Sequence, residues 1–293
     1  MSKLLAWLLL ALQMLSPKHA MTAAVYRVAR IRLRPVKDFL IRRFVSMYAI
    51  DVEEADHPVP DGYASLNDFF TRSLVADARP IERAAATIVS PVDGTVSAAG
   101  AIESTSLLQA KGKRYSLSDL LMTDVPDAER FVDGQFATLY LAPHNYHRVH
   151  SPMNGRLIAA RYVPGSLYSV NDASVSLVPG LFTRNERLIC HFDGEPVSFA
   201  LVFVGALNVG SISTPWTDEI RPRRKGTVQE FDLQKSDHSP DVKKGDCIGH
   251  FNMGSTVVLL FPPDAVTFED TLVAGSEVRM GRAIGHVAQA HRD

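Results

Sequence analysis

The rhythm of hydrophobic positions changes along this chain. Residues 4–15 are almost unbroken, LLAWLLLALQML. Through 22–48, Val25, Tyr26, Val28, Ile31, Leu33, Val36, Phe39, Leu40 and Phe44 alternate with arginines, and Pro35 breaks or starts a helix there. That pattern predicts helices lying in a membrane interface, apolar face down and arginines near lipid phosphates. Residues 56–62, DHPVPDG, read as a linker or turn. Ser65–Arg72 reads as a short helix, with Ser65 as N-cap and Asp68 three residues on. Beyond residue 88 the apolar runs shorten, as in Ala137–Leu141, Leu157–Tyr162, Val197–Val204 and Thr256–Phe261. Gly, Pro, Asn and Asp separate them, which is strand-and-turn punctuation. One later helix is expected near Ser116–Leu121.

A weak repeat lies within the strand-rich part. Ser90-Pro-Val-Asp-Gly-Thr-Val and Ser151-Pro-Met-Asn-Gly-Arg-Leu share Ser-Pro-x-x-Gly before an aliphatic strand. Proline sets φ and glycine supplies the turn. Biotinyl and lipoyl carrier barrels use the same pattern, and Val242-Lys-Lys-Gly-Asp-Cys-Ile-Gly249 is a further tight turn of that kind. No Met-Lys-Met or Asp-Lys-Ala tip is present, so carrier function is not supported. The expected fold is α+β: a β-rich core with pseudo-duplicated, barrel-sandwich-like halves, preceded by N-terminal membrane-interface helices. The boundaries drawn are 1–60 for the helical region and 61–293 for the β-rich domain.

Composition and charge sharpen this picture. The chain has 293 residues, 46% hydrophobic and 22% charged, an ordinary globular balance. The apolar run at 4–15 falls short of the about 20 residues that span a bilayer. A cleaved signal is disfavoured, because Lys18 stands where a small residue is wanted before Ala20. Cys190 and Cys247 can form neither a disulfide framework nor a four-cysteine zinc site. Net charge is −1, but residues 1–45 hold nine basic side chains and one acid. A basic, apolar head on an acidic body suits an anionic membrane surface. Nucleic acid is not expected, because the basic stretch carries aliphatic rather than stacking aromatic residues.

Three stretches carry candidate chemistry. Tyr140–His150 places histidines at 144, 147 and 150. A spacing of three scatters ligands over both faces of a strand, and no Cys, Asp or Glu stands among them, so no metal is expected. Histidine acid–base work fits better, provided the backbone bends between His147 and His150. Asp93 precedes Gly94, ordinarily a turn position; it is also a candidate to orient a histidine. Phe251-Asn-Met-Gly-Ser255-Thr runs directly into an apolar strand. It is neither a nucleophile elbow nor a phosphate loop. Glycine before serine leaves the Gly254 carbonyl open to the Ser255 hydroxyl, an N-to-O acyl shift.

Met253-Gly-Ser-Thr resembles the Leu-Gly-Ser-Thr processing site of the phosphatidylserine decarboxylase family. Tyr146-His-Arg-Val-His150 resembles its histidine motif, and Pro91-Val-Asp93-Gly its aspartate motif. Leu66–Phe70, Leu108–Gly112, Tyr162–Asn171 and Phe182–Arg187 are similar to further blocks of that family, so the resemblance spans roughly residues 60–265. Met253 departs from the usual leucine with little change in volume.

The resemblance implies a self-processing proenzyme. His150, oriented by Asp93, takes the Ser255 proton; the hydroxyl attacks Gly254; elimination cuts the chain. A β chain, 1–254, and an α chain, 255–293, result, with a pyruvoyl group, a form of bound pyruvate, made from Ser255. Through a Schiff base that group decarboxylates phosphatidylserine to phosphatidylethanolamine, with His147 as candidate for proton transfer or carboxylate contact. The implied partners are phosphatidylserine, an anionic membrane surface, and the two chains as a heterodimer; a dimer of heterodimers is compatible. The implied location is the cell membrane, peripheral, on the cytoplasmic side. The alternative is a Ser/His/Asp hydrolase acting in trans without self-cleavage.

Overall fold

The computed structural model describes residues 16–110, 113–122, 128–208, 211–223 and 226–288. The expected apolar run at 4–15 lies outside them. Two helices open the described chain, α1 (Lys18–Ala29) and α2 (Arg34–Tyr48). Pro35 falls in the first turn of α2, where its missing N–H costs nothing. Ala49, at φ 50°, ends that helix in the left-handed conformation. The short α3 (Leu66–Phe70) is capped from both sides. Ser65 Oγ accepts from Asp68 N at 3.1 Å, and Asp68 Oδ2 accepts from Ala64 N at 2.8 Å. Ala29, Ile41, Ile50, Tyr63, Leu66 and Phe69 form a small core that ties these helices together. The other face of α1 and α2 leaves Val28, Leu33, Phe39 and Met47 exposed beside Arg27, Arg32, Arg42 and Arg43. No helix among the described residues is long and apolar enough to cross a membrane.

The rest of the chain is built from short strands. In chain order they are β1 (Thr87–Val89), β2 (Gly94–Ala101), β3 (Ser106–Ala110), β4 (Lys113–Ser116), β5 (Gln135–Leu141) and β6 (Arg148–His150). There follow β7 (Gly155–Val163), β8 (Arg187–Gly194), β9 (Phe199–Val204), β10 (Ile212–Thr214), β11 (Asp218–Ile220) and β12 (Gln229–Glu230). The last are β13 (Asp241–Val242), β14 (Cys247–Phe251), β15 (Ser255–Phe261), β16 (Val266–Phe268), β17 (Glu277–Val278) and β18 (Ala283–Val287). Three short helices intervene: α4 (Leu117–Leu121), α5 (Asp172–Leu177) and α6 (Leu181–Arg184).

A nine-stranded sheet runs β12-β7-β8-β9-β15-β5-β2-β17, with β13 also paired to β7. A four-stranded sheet runs β11-β10-β14-β6, a three-stranded one β1-β18-β16, and β3-β4 is a hairpin. All these pairings are antiparallel. The β-rich α+β expectation holds. The barrel-like expectation does not, because among the described residues each sheet stays open. β15 lies in the middle of the large sheet, and Val257–Phe261 are fully buried, as are Phe199–Val204 of β9 beside them. Continuous apolar runs mark strands covered on both faces, which is why period-two alternation is absent here.

The Ser-Pro-x-x-Gly repeat proves to be half of a larger one. Ser90 Oγ donates to Val92 O at 2.7 Å, and Ser151 Oγ donates to Met153 O at 2.6 Å. The two turns also clasp each other. Val89 N donates to Pro152 O at 3.1 Å and His150 N to Pro91 O at 2.8 Å. Each turn then meets its own tight turn later in the chain. Ser90 N donates to Arg282 O while Ser90 O accepts from Gly281 N; Ser151 N donates to Asp246 O while Ser151 O accepts from Gly245 N. Those turns lie in Glu277-Val-Arg-Met-Gly-Arg-Ala-Ile-Gly-His286 and Asp241-Val-Lys-Lys-Gly-Asp-Cys-Ile-Gly-His250. Gly281 and Gly245 share a left-handed φ, 84° and 86°. The core is therefore organised about a pseudo-twofold contact between two like units.

Gly281 tests this geometry. An added Cβ would meet Pro80 O at 2.8 Å on backbone already at positive φ. Gly275 has a similar φ, 93°, and open space. In an uncut Ser255→Ala background, Gly281→Ala is expected to cost about 2–3 kcal/mol and Gly275→Ala about 1 kcal/mol, measured by urea unfolding.

Candidate active site

The chain passes from the four-stranded sheet to the centre of the nine-stranded sheet through Asn252, Met253 and Gly254. Both Met253, at φ 96°, and Gly254, at φ 58°, are left-handed. Methionine rarely adopts that conformation, and holding it there stores on the order of 1–3 kcal/mol. The strained residue stands one position before the Gly254–Ser255 bond. Asn252 anchors the turn from below. Its Nδ2 donates to Ser211 Oγ at 2.8 Å and Ser213 Oγ at 3.2 Å, its N donates to Ser211 O, and its Oδ1 accepts from Asn67 of α3 at 2.9 Å. Ser211 in turn donates to Glu219, which binds Arg30 at 2.6 Å and the Tyr26 hydroxyl at 3.1 Å. A continuous polar chain thus joins α1 to the turn before Ser255.

Ser255 opens β15 and pairs with Leu141 at the end of β5. The segment after Leu141 folds back as a turn, so β6 begins only at Arg148. That turn, over 143–145, precedes both His147 and His150 and is not the bend expected between them. Both are buried, whereas His144 is exposed. Each buried ring is held by a carbonyl: His147 Nδ1 donates to Asn145 O and His150 Nδ1 donates to Gly245 O, both at 2.8 Å. A carbonyl only accepts, so each ring carries its proton on Nδ1 and leaves Nε2 as a bare base. His150 Nε2 accepts from the Tyr146 hydroxyl at 3.0 Å. His147 Nε2 has no hydrogen-bond partner, and its ring lies 4.0 Å from that of Phe70. Burial pushes His147 down to about 3 and His250 down to about 4, and it lowers His150 as well.

Asp93 does not make the expected bond to His150. Its carboxylate takes both Nε and Nη2 of Arg79, at 2.5–3.0 Å, and Met280 N at 2.9 Å. The physical reason is charge: a forked guanidinium outcompetes a neutral imidazole for a carboxylate. Arg79 also binds Glu54, with Nη2 to Oε2 at 2.7 Å, and both carboxylates hold the guanidinium charged. The pseudo-twofold partner of Asp93 is Asn154, whose Oδ1 accepts from Lys244 N at 2.9 Å as Asp93 accepts from Met280 N. Asp93 therefore pins its turn in the structure, and the Gly245 carbonyl orients His150.

Several residues that the sequence reading left without a role complete the site. Gln109 bonds Val175 O and Val178 O and accepts from Leu181 N. Asn185 bonds Tyr168 O and Gly205 O, and Arg187 donates to four backbone carbonyls. Gln109 thus ties α5 and α6 to the β3-β4 hairpin, and Arg187 ties α4 and α6 to the start of β8. Arg79, Glu186 and Asn252 were not singled out, because each is recognisable only by its burial. A cavity of about 830 Å³ opens beside Thr95, Tyr140, Val175 and Gly275. By register Thr95, Tyr140 and Thr256 share a row across β2, β5 and β15.

Comparison with known proteins gives a consistent result. A family profile described as phosphatidylserine decarboxylase matches residues 66–286, and a profile described as PSD matches residues 8–49. A phosphatidylserine decarboxylase proenzyme of Acidovorax ebreus (strain TPSY) is 46% identical over 94% of this chain and 95% of its own length. The protein of the same name from Methylibium petroleiphilum is 46% identical over 93% of this chain and 95% of its own. That of Vibrio cholerae serotype O1 is 44% identical over 94% and 98%.

The buried histidines set an expected acid response. Their folded pKa values lie below the unfolded value, so the stability they contribute is present above about 6.5 and lost as pH falls. For His147 the loss extends down to about 3 and amounts to on the order of 3 kcal/mol by pH 4. In the uncut Ser255→Ala chain, the melting temperature should fall more steeply between pH 7 and pH 4 than in the same chain carrying His147→Gln.

Proposed function

This chain belongs to the phosphatidylserine decarboxylase family, and on that premise we propose that it is a self-processing proenzyme that converts phosphatidylserine to phosphatidylethanolamine. One observation carries the reading. The Gly254–Ser255 bond joins a strained left-handed turn to the central strand of the large sheet. Cutting it relieves the turn, while β5 and β9 keep hold of the new chain end.

In the processing step, His150 Nε2 accepts the Ser255 hydroxyl proton once Tyr146 yields its place. The Oγ–C bond to Gly254 forms and the C–N bond breaks, the nitrogen taking up the proton. Elimination of the ester then frees the carboxylate of Gly254. Hydrolysis of the remaining enamine releases ammonia and leaves a pyruvoyl group at residue 255. The residues fit that group. Gly254 has no side chain to shield its carbonyl, and residue 255 is held by its pairing with Leu141 of β5. Such a group at residue 255 would supply, toward the substrate amine, the electron sink that no ordinary side chain offers.

The protein's own part is positioning and proton control. Asn252 and Asn67 set the turn; Asp93, Arg79 and Glu54 set the start of β2; the Asn145 and Gly245 carbonyls fix both histidine tautomers. His147, with its free Nε2, is assigned to the substrate end of the site. A trans-acting hydrolase gains no support, since Asp93 is committed to Arg79 and the matched relatives are named proenzymes. The exposed Val28, Leu33, Phe39 and Met47, with the arginines around them, are assigned to a peripheral membrane contact on an anionic, cytoplasmic-side surface. The substrate stays in the bilayer, so a site held at that surface needs no extraction of lipid.

Intact mass of the purified protein under denaturing conditions should give two chains divided at Gly254/Ser255. The smaller should end in a carbonyl, and Ser255→Ala should remain one chain with no release of carbon dioxide from phosphatidylserine vesicles. A single full-length chain in an active wild-type preparation would refute the reading. Met253→Gly removes the strain and should slow cutting by about tenfold, equivalent to about 1.4 kcal/mol, followed as the uncut fraction against time. The lowered pKa of His150 should keep cutting constant from pH 8 to below 6.5, where an ordinary histidine loses its base form.

A further inference from the structure

Decarboxylation replaces a carboxylate by hydrogen, so some group must deliver a proton to the substrate carbon. Neither buried histidine is suited to it. Both rings donate from Nδ1 to carbonyls and present a bare Nε2, and their lowered pKa values keep them so at neutral pH. A proton donor has to come from elsewhere.

Glu186 lies in the right row. Gly205 N donates to Glu186 O at 2.9 Å. Arg187 pairs with Val204, and Val204 with Thr256; continued one residue past the end of β9, that register sets Gly205 between Glu186 and Ser255. The glutamate side chain crosses that gap. A Cβ added to Gly205 would come within 2.6 Å of Glu186 Oε1 and 2.7 Å of its Cγ. The carboxyl therefore occupies the space that any other residue at 205 would fill.

Its bonding is also exceptional. Within the same block, Asn185 and Arg187 are fully engaged with backbone groups. Glu186 is 1% exposed; its Oε2 accepts from the Tyr162 hydroxyl at 2.6 Å, and its Oε1 has no hydrogen-bond partner. Burial pushes the carboxyl up to about 8; the Tyr162 hydroxyl, the Arg223 backbone N–H and the Arg223 charge oppose it only in part. At neutral pH it is a carboxylic acid with one oxygen uncommitted.

We propose that Glu186 is the proton donor of the decarboxylation, passing its carboxyl proton to the substrate carbon that has lost carbon dioxide. The C–C bond to the carboxylate breaks, and its electron pair is held in the sink supplied at residue 255. The Oε1–H bond then breaks as the new C–H bond forms. The resulting carboxylate regains a proton from solvent before the next turnover. Gly205 is required because it gives the carboxyl its path. This assignment rests on the decarboxylase reading above and goes beyond it.

The test compares wild type with Glu186→Gln, which keeps shape and hydrogen bonding but has no transferable proton. Intact mass should show both proteins cut at Gly254/Ser255. Infrared spectra of protein labelled with ¹³C-glutamate should show a protonated-carboxyl band at neutral pH in processed wild type and not in Glu186→Gln. On phosphatidylserine vesicles kcat should fall by about 100-fold or more, the usual worth of a general acid, with KM little changed. Glu186→Asp, which retracts the same acid, should retain the band and part of the rate. Three results overturn the assignment: a cut Glu186→Gln enzyme with kcat within threefold of wild type, absence of the band from wild type, or a folded Glu186→Gln chain that stays uncut. An uncut wild-type chain, or wild type without decarboxylation, is a different result and refutes the reading beneath.

Discussion

The strand Ser255–Phe261 has a hydrogen-bonded neighbour on each side, and the rest of the molecule depends on that constraint. β5 holds it over seven residue pairs and β9 over five. Its residues from Val257 on are completely buried. A strand gripped this way cannot shift by one residue without turning its apolar side chains to the wrong face. The beginning of β15 is thereby fixed, and with it the place where the chain must arrive from the other sheet. Three residues, 252–254, make that crossing, and the last two of them are in left-handed backbone. The strain next to the Gly254–Ser255 bond follows from the grip on the strand beyond it.

The same end of the sheet gathers the other candidate groups. β2 begins there beside Asp93, β5 ends there before the histidine segment, and β8 and β9 meet there at Glu186 and Gly205. The opposite side of the site is built by the pseudo-twofold contact. His150 belongs to one turn and Pro91 to the other, and the bond between them locks the histidine segment against the aspartate segment. Electrostatics then decides the partners. Arg79 draws Asp93 and Glu54 into one buried ion cluster, and backbone carbonyls are left to hold the imidazoles. Removing one member of such a cluster would strand a buried charge, which is costlier than losing a surface pair.

The helices at the N-terminus are tied to this centre twice. The small core around Ile41 and Phe69 packs α2 on α3. The chain from Tyr26 and Arg30 through Glu219, Ser211 and Asn252 reaches the turn before Ser255. Tyr26 is also covered by Arg30 at 3.6 Å and by Arg221 at 4.5 Å, cation over ring. The inner face of α1 and α2 is thus committed to the body, while the outer face keeps its apolar and basic residues in the open.

Much was legible in the sequence because it depends on local pattern. Short apolar runs between Gly, Pro, Asn and Asp marked the strands, Ser65 and Asp68 marked a capped helix, and Gly254-Ser255 before an apolar strand marked the bond proposed for processing. The Ser-Pro-x-x-Gly repeat was visible, but the Val-x-x-Gly-x-x-Ile-Gly-His partner of each copy was not connected to it, since the pairing joins segments far apart in the chain. Closure of the sheets into a barrel was expected from turn patterns alone, and long-range pairing decided otherwise. Asp93 was paired with His150 on motif, whereas the structure pairs it with Arg79, a competition between donors that no spacing reveals. Glu186 and Asn252 look like ordinary polar residues in sequence; burial gives one an unpartnered acid oxygen and the other a hold on the strained turn. Local steric and hydrophobic preferences are carried by neighbours in sequence, but protonation and partner choice depend on solvent exclusion and on which distant charges arrive, and only the tertiary fold sets those.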